Sequence, residues 1–220
     1  MIHQYPPEAP LDCQLCPRLV AYRNQIIADE PNWYNAPVKS FGNDTAKFLI
    51  VGMAPGRGGA NKTGRPFTGD GAGDLLFKAL IKHGFAKGVY KKTPDDGLKL
   101  HDCMITNAVR CVPPQNKPIA SEAQNCRPFL LSRIKNLPQL TTILALGHIA
   151  HNNVLTTFGV RKKDYKFTHC AVHDIEFNNR KFRLINSYHC SRYNTNTGRL
   201  TEAMFDDVFE LIKSGLKKQN

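Results

Sequence analysis

The sequence predicts an α/β fold in which a parallel β-sheet is covered by helices on both faces. The first observation is a set of four short, apolar, β-rich runs, at residues 48–52, 101–106, 142–147 and 182–186. The second is that helical patterns alternate with these runs, at residues 72–83, 149–158 and 201–213. Parallel strands buried under helices on both faces are continuously apolar. In such a sheet, ligands bind beyond the carboxyl ends of the strands.

The length and composition agree with one domain. With 220 residues, of which 41% are hydrophobic, the chain can bury one sizeable core. The 30 Lys and Arg residues exceed the 18 Asp and Glu residues and give a net charge of +12. Nucleic acid is therefore a candidate partner, and a basic protein without a polyanionic partner is the alternative. No leader pattern or membrane-length apolar run is evident, so we expect a cytoplasmic protein without membrane contact.

The first strand is followed by a glycine-rich segment, residues 52–74, GMAPGRGGANKTGRPFTGDGAGD. It is not a phosphate loop, because the glycine that should precede Lys62 in that pattern is missing. It is a weak dinucleotide fingerprint, because Pro55 interrupts the turn from which the helix should start. The third interpretation is a loop that lets a flat ligand approach main-chain N–H groups, beside the ring of Phe67 and the charge of Asp70. A purely structural loop is the alternative.

Four of the seven cysteines have a pattern that suggests a metal centre. Cys13 and Cys16 form a C-x-x-C pair, and Cys111 and Cys126 lie far downstream. In a cytoplasmic protein such thiols are more often metal ligands than disulfides. Four thiolates could hold either zinc or a [4Fe–4S] cluster, and the spacing does not separate the two. Four unrelated buried cysteines remain the alternative, and Cys103, inside a predicted strand, belongs to the core.

The segment after the last predicted strand is polar and basic. His189 follows this strand directly, so it should lie at the same sheet edge as the glycine-rich loop. A histidine there can donate a hydrogen bond to a developing anion, and the segment behind it could bind phosphates. Its polar residues are Ser191, Arg192, Asn194, Asn196 and Arg199.

Together these motifs resemble a known family. The segments GMAPGRGGANKTGRPFTGD (52–70), ITNAVRCVPPQNKP (105–118) and HCSRYNTNTGRLT (189–201), with the four cysteines, are similar to the iron–sulfur uracil-DNA glycosylases. The match is closest to the family 5 branch, or type b, and runs from residue 13 to about residue 211. The resemblance implies a three-layer α/β/α fold with a central four-stranded parallel sheet. It also implies one domain, residues 1–220, whose N-terminal segment is tied to the body by a [4Fe–4S] cluster rather than by zinc.

The resemblance assigns roles in cleavage of the bond between a flipped base and its sugar. It implies that the base stacks on Phe67, that His189 donates a hydrogen bond to the uracil O2 side, and that Asp70 positions or activates water. Asn116 would be a catalytic helper and Asn107 a reader of the base edge. Each of the two asparagines could instead only stabilise a loop. Main-chain groups of the glycine-rich loop would border the base at Gly52, Ala54 and Gly56.

Further residues are assigned to DNA. The resemblance implies that Arg192, Tyr193 and Arg199, together with Ser191, form the segment that enters the minor groove and fills the gap left by the base. For Tyr193 a solvated loop position is an equal alternative. The cluster would hold the N-terminal segment and the loop 111–126 on the body. It would present Arg18, Arg110 and Arg127 to phosphates.

Two departures from related sequences affect the expected specificity. Met53 replaces the Glu of family 4 members, which shifts the handling of water to Asp70. Cys190 replaces a frequent Pro after the motif histidine, which makes the loop less rigid. The family 5 resemblance therefore implies a broader range of deaminated bases as substrates, hypoxanthine included. We also expect the protein to be a monomer and to be associated with the nucleoid. The alternatives are a non-catalytic zinc or iron–sulfur DNA-binding module and a nucleotide-binding α/β enzyme.

Overall fold

The computed structural model describes residues 5–217, which form alternating strands and helices. The helices are α1 (Pro17–Asp29), α2 (Ala60–Thr63), α3 (Gly71–Lys82), α4 (Ala120–Lys135), α5 (His148–Phe158), α6 (Arg192–Asn196) and α7 (Glu202–Lys217). The strands are β1 (Phe41–Gly42), β2 (Phe48–Gly52), β3 (Ala86–Lys87), β4 (Lys99–Leu100), β5 (Cys103–Asn107), β6 (Thr142–Leu146), β7 (Val172–Phe177) and β8 (Arg180–Ser187). Two 3₁₀ turns occupy Pro114–Asn116 and Lys162–Asp164.

The main sheet has six strands in the order β1-β5-β2-β6-β8-β7. The inner four, β5, β2, β6 and β8, are parallel and correspond to the four predicted strands. The sheet is nevertheless larger than predicted, because β1 and β7 add one antiparallel strand at each edge. β1 has only two residues, which is too short for a periodic signal. Along β7, exposed positions alternate with partly or fully buried ones, as in an edge strand with one exposed face.

Helices cover both faces of the sheet and make it the middle of three layers. On one face, the strand side chains Ile50 and Ile105 belong to a core that also contains Leu76 of α3 and Phe209 of α7. On the other face, Leu49 and its neighbours pack with residues of α4 and α5. Successive residues of β2 thus contribute to opposite cores, since side chains alternate along a strand. This explains why β2, β5 and β6 are buried at every position and mostly apolar, and it confirms the predicted α/β class.

The carboxyl ends of the parallel strands all lie at one edge of the sheet. Met53 follows β2, Asn107 ends β5, Gly147 follows β6 and Tyr188 follows β8. The glycine-rich loop and the segment around His189 therefore meet at this edge, as predicted for a parallel sheet. Across residues 5–217, no helix combines the length and hydrophobicity of a membrane span.

Candidate active site

A pocket of about 890 Å³ opens at the carboxyl edge of the sheet. It is lined by most of the residues that the sequence assigned to a site. These are Ala54, Gly56, Phe67, Asp70, Asn107, Asn116, His189, Ser191, Arg192 and Arg199. Of the residues predicted to contact the base or DNA at this edge, Gly52 and Tyr193 do not line it. Gly52 lies behind the wall, and Tyr193 points into solvent with 72% of its surface exposed.

Asp70 is held at the start of α3. Its backbone is extended, and one carboxylate oxygen accepts a hydrogen bond of 3.0 Å from the N–H of Ala72, so Asp70 is the N-cap of this helix. The other oxygen faces the glycine-rich loop, where a Cβ atom added to Gly59 would lie 2.9 Å from Asp70 Cγ. The bare backbone of the loop therefore leaves room for this carboxylate. The hydrogen bond from Ala72 thus fixes the Asp70 side chain in place, and Asp70 forms part of the pocket wall.

Phe67 forms part of the wall in an unusual backbone conformation. Its φ of +54° is in the left-handed region, which non-glycine residues rarely adopt. The hydroxyl of Tyr90 donates a hydrogen bond of 3.1 Å to the Phe67 carbonyl and stabilises this conformation. The rings of Phe67 and His189 are inclined by 29° with centroids 6.0 Å apart. The pocket therefore has a flat aromatic wall beside an imidazole.

His189 lies directly after Ser187 and Tyr188 at the end of β8. Burial lowers the pKa of its imidazole below the usual 6.5, and the nearby charge of Asp70 opposes this shift only in part. His189 is therefore neutral at neutral pH. The side-chain amide of Asn194 donates a hydrogen bond of 2.8 Å to the His189 carbonyl, which fixes the backbone that carries the ring.

Asn107 is the last residue of β5 and is only 2% exposed. Its Oδ1 is buried and accepts no hydrogen bond from any residue that the structure describes. Buried amide oxygens are normally paired, because an unpaired one costs about 1–3 kcal/mol. Asn107 is adjacent to Gly52 on the neighbouring strand, whose missing side chain makes room for it. The wall of the pocket thus contains an acceptor without a donor.

Asn116 reaches the pocket from a different direction. It ends the 3₁₀ turn Pro114–Asn116, is solvent-exposed and has a φ of +56°. Asn107 and Asn116 therefore differ in environment, since one is buried in the wall and the other lies at the rim. Asn107 can therefore contact a ligand bound inside the pocket, and Asn116 can contact the same ligand from the solvent side.

The short helix α6 and the residues after it form the basic side of the pocket. Ser191 is the N-cap of α6 and accepts a hydrogen bond of 3.4 Å from the N–H of Asn194. Arg192 packs against Gly71, where an added Cβ atom would lie 2.6 Å from Arg192 Cδ. The guanidinium of Arg199 lies over the ring of Tyr188, 4.9 Å from its centroid. Two exposed arginines are thus held at the pocket.

Several lining residues were missed by the sequence analysis. Tyr188 and His148 both lie just after a strand at the carboxyl edge, and this position was a signal that could have found them. Phe167 and Arg57 also line the pocket. Phe167 comes from an irregular segment, and nothing in its local pattern separates it from a core aromatic residue.

The four predicted metal ligands come together away from the pocket. Cys13, Cys16, Cys111 and Cys126 line one small cavity between the N-terminal segment, α1 and α4. None of the seven cysteines, all within residues 5–217, forms a disulfide. In the same part of the chain, no three histidine, cysteine or carboxylate side chains are arranged to hold a single metal ion. The four thiols thus lie around one cavity, but they are not arranged as the ligands of a single metal ion.

The surroundings of these sulfur atoms suit a buried group bound by thiolates. Cys126 Sγ accepts a hydrogen bond of 3.2 Å from the Arg110 backbone N–H, and Cys111 Sγ lies 3.9 Å from an Arg23 guanidinium nitrogen. A further donor is the Asn125 amide, 3.8 Å from Cys16 Sγ. Burial raises the pKa of the Cys111 thiol to about 12, so a thiolate there requires a positive partner. Hydrogen bonds to ligand sulfur are typical of iron–sulfur sites.

The expected role of Arg110 in DNA binding is wrong, whereas that of Arg18 stays a prediction. Arg110 is only 1% exposed, and its guanidinium lies 3.2 Å from Glu8. Arg18 forms a 2.7 Å ion pair with the buried carboxylate of Glu122. Arg110 therefore does not face DNA, because its charge is neutralised inside the protein. No local pattern indicates this burial, since Glu8 and Arg110 are distant along the chain.

Comparison with protein-family models matches residues 39–213 to the Uracil DNA glycosylase superfamily. The chain belongs to this superfamily. A type-5 uracil-DNA glycosylase of Thermus thermophilus is 41% identical over 202 residues, covering 89% of this chain and 90% of the relative. One of Mycobacterium leprae is 39% identical over 210 residues, covering 91% and 90%.

A more distant relative is a type-4 uracil-DNA glycosylase of Thermotoga maritima. It is 29% identical over 209 residues, covering 94% of this chain and 91% of the relative. The family resemblance stated from the motifs is confirmed, and with it the prediction of an enzyme of the uracil-DNA glycosylase class.

Proposed function

We propose that this superfamily member removes uracil from DNA by hydrolysing the bond between the base and its deoxyribose, which leaves an abasic site and starts base excision repair. The observation that carries the proposal is that Asp70, His189, Phe67 and Asn107, whose amide oxygen is unpaired, line one pocket. The names of the type-5 relatives support the substrate. The enzyme is monofunctional, because hydrolysis ends with an intact DNA strand.

The base has to leave the stack before this bond can be reached. The pocket, at about 890 Å³, has room for a flipped base together with its sugar. The flipped base stacks on the buried ring of Phe67. Main-chain groups of Ala54 and Gly56 border it, and Gly52 allows Phe67 and Asn107 to approach each other.

Cleavage separates charge, and two residues stabilise the two products. As the bond from C1′ to the base nitrogen breaks, its electron pair goes to the base, and His189 donates a hydrogen bond on the O2 side of the resulting anion. Asp70 stabilises the sugar cation and accepts a proton from the water whose oxygen bonds to C1′. The base anion then takes up a proton. A neutral His189 suits this role, because its hydrogen bond strengthens as the anion forms.

Asn107 separates the deaminated bases uracil and hypoxanthine from cytosine and adenine, the bases from which they arise. Its unpaired Oδ1 receives the ring N–H of uracil, and its amide N–H₂ donates to the adjacent carbonyl oxygen. Hypoxanthine presents the same pair of groups, an N–H next to a carbonyl, whereas adenine and cytosine do not. We therefore include hypoxanthine and related deaminated bases among the substrates. Asn116 assists from the rim by holding the water or the sugar.

DNA binding uses the basic side of the pocket. Ser191, Arg192 and Arg199 contact the phosphates, and Tyr193, which projects from α6, enters the minor groove beside the extruded nucleotide. The chain acts as one domain and as a monomer at the nucleoid.

The four cysteines hold a [4Fe–4S] cluster, with zinc as the less suitable occupant. A cubane of four irons holds its thiolates farther apart than a single ion, which agrees with a cavity where no three ligands converge on one point. When bound, the cluster ties the N-terminal segment to α4 and does no chemistry on the base. Iron and zinc analysis of purified protein, with its visible absorption, tests this assignment. Zinc without iron would contradict it.

The experiment that tests the proposed function is single-turnover base release from a duplex with one uracil opposite guanine, followed by alkali to cleave at the abasic site. We expect cleavage at uracil and, in parallel duplexes, at hypoxanthine but not at cytosine or adenine. The alternative, a non-catalytic DNA-binding module, predicts binding of the duplex without cleavage. That outcome, obtained with protein that retains its metal, would overturn the proposal.

A further inference from the structure

The tryptophan of this chain lies beside the pocket, together with two cations. Trp33, the only tryptophan in the sequence, follows α1 and is half-buried. The guanidinium of Arg57 lies 5.5 Å from the centroid of its ring, and the ammonium of Lys62 lies 5.3 Å from it. Arg57 also lines the pocket. The group therefore continues the pocket outward along the glycine-rich loop.

Hydrogen bonds fix the tryptophan relative to its cations. The N–H of Tyr34 donates to the Lys62 carbonyl, and the N–H of Asn35 donates to the Asn61 carbonyl, each at 3.1 Å. A buried bond of 2.9 Å from the Asn61 amide to Asn35 Oδ1 adds a side-chain contact. The turn that carries the ring is thus bound to α2, which carries the lysine. The backbone next to Trp33 cannot move away from α2 without breaking these bonds.

The two cations are available to a ligand. Lys62 is exposed and forms no ion pair with any residue in the described part of the chain. Arg57 has one acidic neighbour, Asp29, at 3.6 Å, and both side chains are about half exposed. Exposed ion pairs of this kind contribute about 0–1 kcal/mol to the free energy of folding. A phosphate can therefore replace Asp29 as the partner of Arg57 at little cost. Cation–π contacts at such sites contribute about 0.5–1 kcal/mol and hold the two charges close together.

We propose that Trp33, Arg57 and Lys62 form a clamp for a backbone phosphate of the DNA strand that leaves the pocket. This inference rests on the proposed function and adds a DNA contact outside α6. The ring orders two flexible cationic side chains in advance, so that less conformational entropy is lost when the phosphate binds. The clamp contacts the backbone only and therefore carries no sequence preference.

The first test uses Trp33 as its own reporter. Because it is the only tryptophan, tryptophan emission of the whole protein reports on this site alone. We expect a saturable change in emission on titration with an undamaged duplex, with the same midpoint as the anisotropy of labelled DNA. Unchanged emission during a clear rise in anisotropy would overturn the clamp.

The second test counts phosphate contacts. The logarithm of the binding constant falls with the logarithm of salt concentration by about 0.9 for each phosphate neutralised. Because both cations contact one phosphate, the double variant Arg57→Gln/Lys62→Gln is expected to make this slope about one contact shallower, and each single variant to do so in part. The matched control is Lys135→Gln, which removes the same charge at the C-terminal end of α4, beside the opposite edge of the sheet, and should leave the slope unchanged.

The two hypotheses fail in different ways. If wild-type protein releases uracil but the double variant keeps the full slope, the clamp is wrong and the proposed function stands. If wild-type protein neither binds the duplex nor releases uracil, both are wrong. Equal reduction of the slope by Lys135→Gln would also overturn the clamp, because the effect would then be one of net charge.

Discussion

A Cβ atom added to Gly52 would lie 2.7 Å from Cζ of Phe67, so the last residue of β2 supports the aromatic wall of the pocket directly. Gly52→Ala is expected to displace Phe67 and Asn107 together and to slow base release by about 100-fold, the effect of a displacement near 1 Å in a catalytic group. Single-turnover kinetics measure this. Melting curves provide the control, because the rates are compared only at temperatures where the variant remains folded. A folded Gly52→Ala variant with the wild-type rate would contradict the prediction.

Asp70 has a structural and a proposed chemical role, and one pair of variants separates them. Asn caps helices as well as Asp does, so Asp70→Asn should keep the hydrogen bond to Ala72 and change stability by less than about 0.5 kcal/mol. Base release should nevertheless fall by about 10²- to 10⁴-fold, because an amide cannot accept the proton. Asp70→Ala should lose about 1 kcal/mol of stability in addition. Denaturant titration provides the stabilities, and an active Asp70→Asn would exclude proton transfer to this residue.

Replacing Asn107 should affect activity and stability in opposite directions. Asn107→Leu removes a buried acceptor that has no donor in the free protein, so we expect stability to rise by about 1 kcal/mol. Loss of the amide should slow release of both uracil and hypoxanthine by about 10- to 100-fold. Melting curves and parallel rates on both duplexes measure the two effects. A variant that discriminates strongly between the two bases would show that Asn107 does not read their common edge.

The pH dependence of base release follows from the lowered pKa of His189. A pKa below 6.5 makes the imidazole neutral throughout the range from pH 7 to 8.5. We therefore expect no fall in the single-turnover rate across this range from titration of His189. A fall with a midpoint near 7, absent in His189→Gln, would mean that the protonated imidazole is the active donor.

A buried ion pair near the aromatic wall should determine part of the acid stability. Arg65 and Asp96 form two hydrogen bonds of 2.7 Å, and their side chains are 5% and 0% exposed. The Arg65 bonds hold the pKa of Asp96 well below its usual 3.8. A carboxyl group whose pKa is lowered by folding stabilises the folded state at pH values above its pKa in the unfolded chain. This stabilisation is lost as the pH falls. Asp96→Asn should cost about 3–5 kcal/mol at pH 7, with a smaller difference from wild type below pH 4. Urea titrations at both pH values test this.

Much of the fold could be predicted because its signals are local. β2 and β6 are buried at every position and apolar except at Thr142, since helices cover both faces, and the predicted bounds of β2 agree with the structure. The hairpin between β7 and β8 also had a signal, the Asn178-Asn179 turn, in which both residues have positive φ. The predicted strand 101–106 begins later, at Cys103, because Asp102 has a φ of +51°.

The remaining features depend on contacts between distant residues. Motif positions placed Asp70, Phe67 and His189 at one edge, because each lies in or beside a loop that follows a parallel strand. They could not reveal that Arg110 is buried against Glu8, or that Arg65 pairs with Asp96. They also did not indicate that Trp33 lies beside Arg57. Such pairs are set by how the loops pack, for which the local sequence carries no periodic signal.

The cavity that joins the four cysteines also has a consequence for the order of biosynthesis. Cys13 and Cys16 leave the ribosome before their partners Cys111 and Cys126, which lie far downstream in the sequence. The N-terminal segment must therefore remain undocked, with two thiols open to oxidation, until α4 has been translated. Insertion of any metal into this site is for that reason a late event in the maturation of the protein.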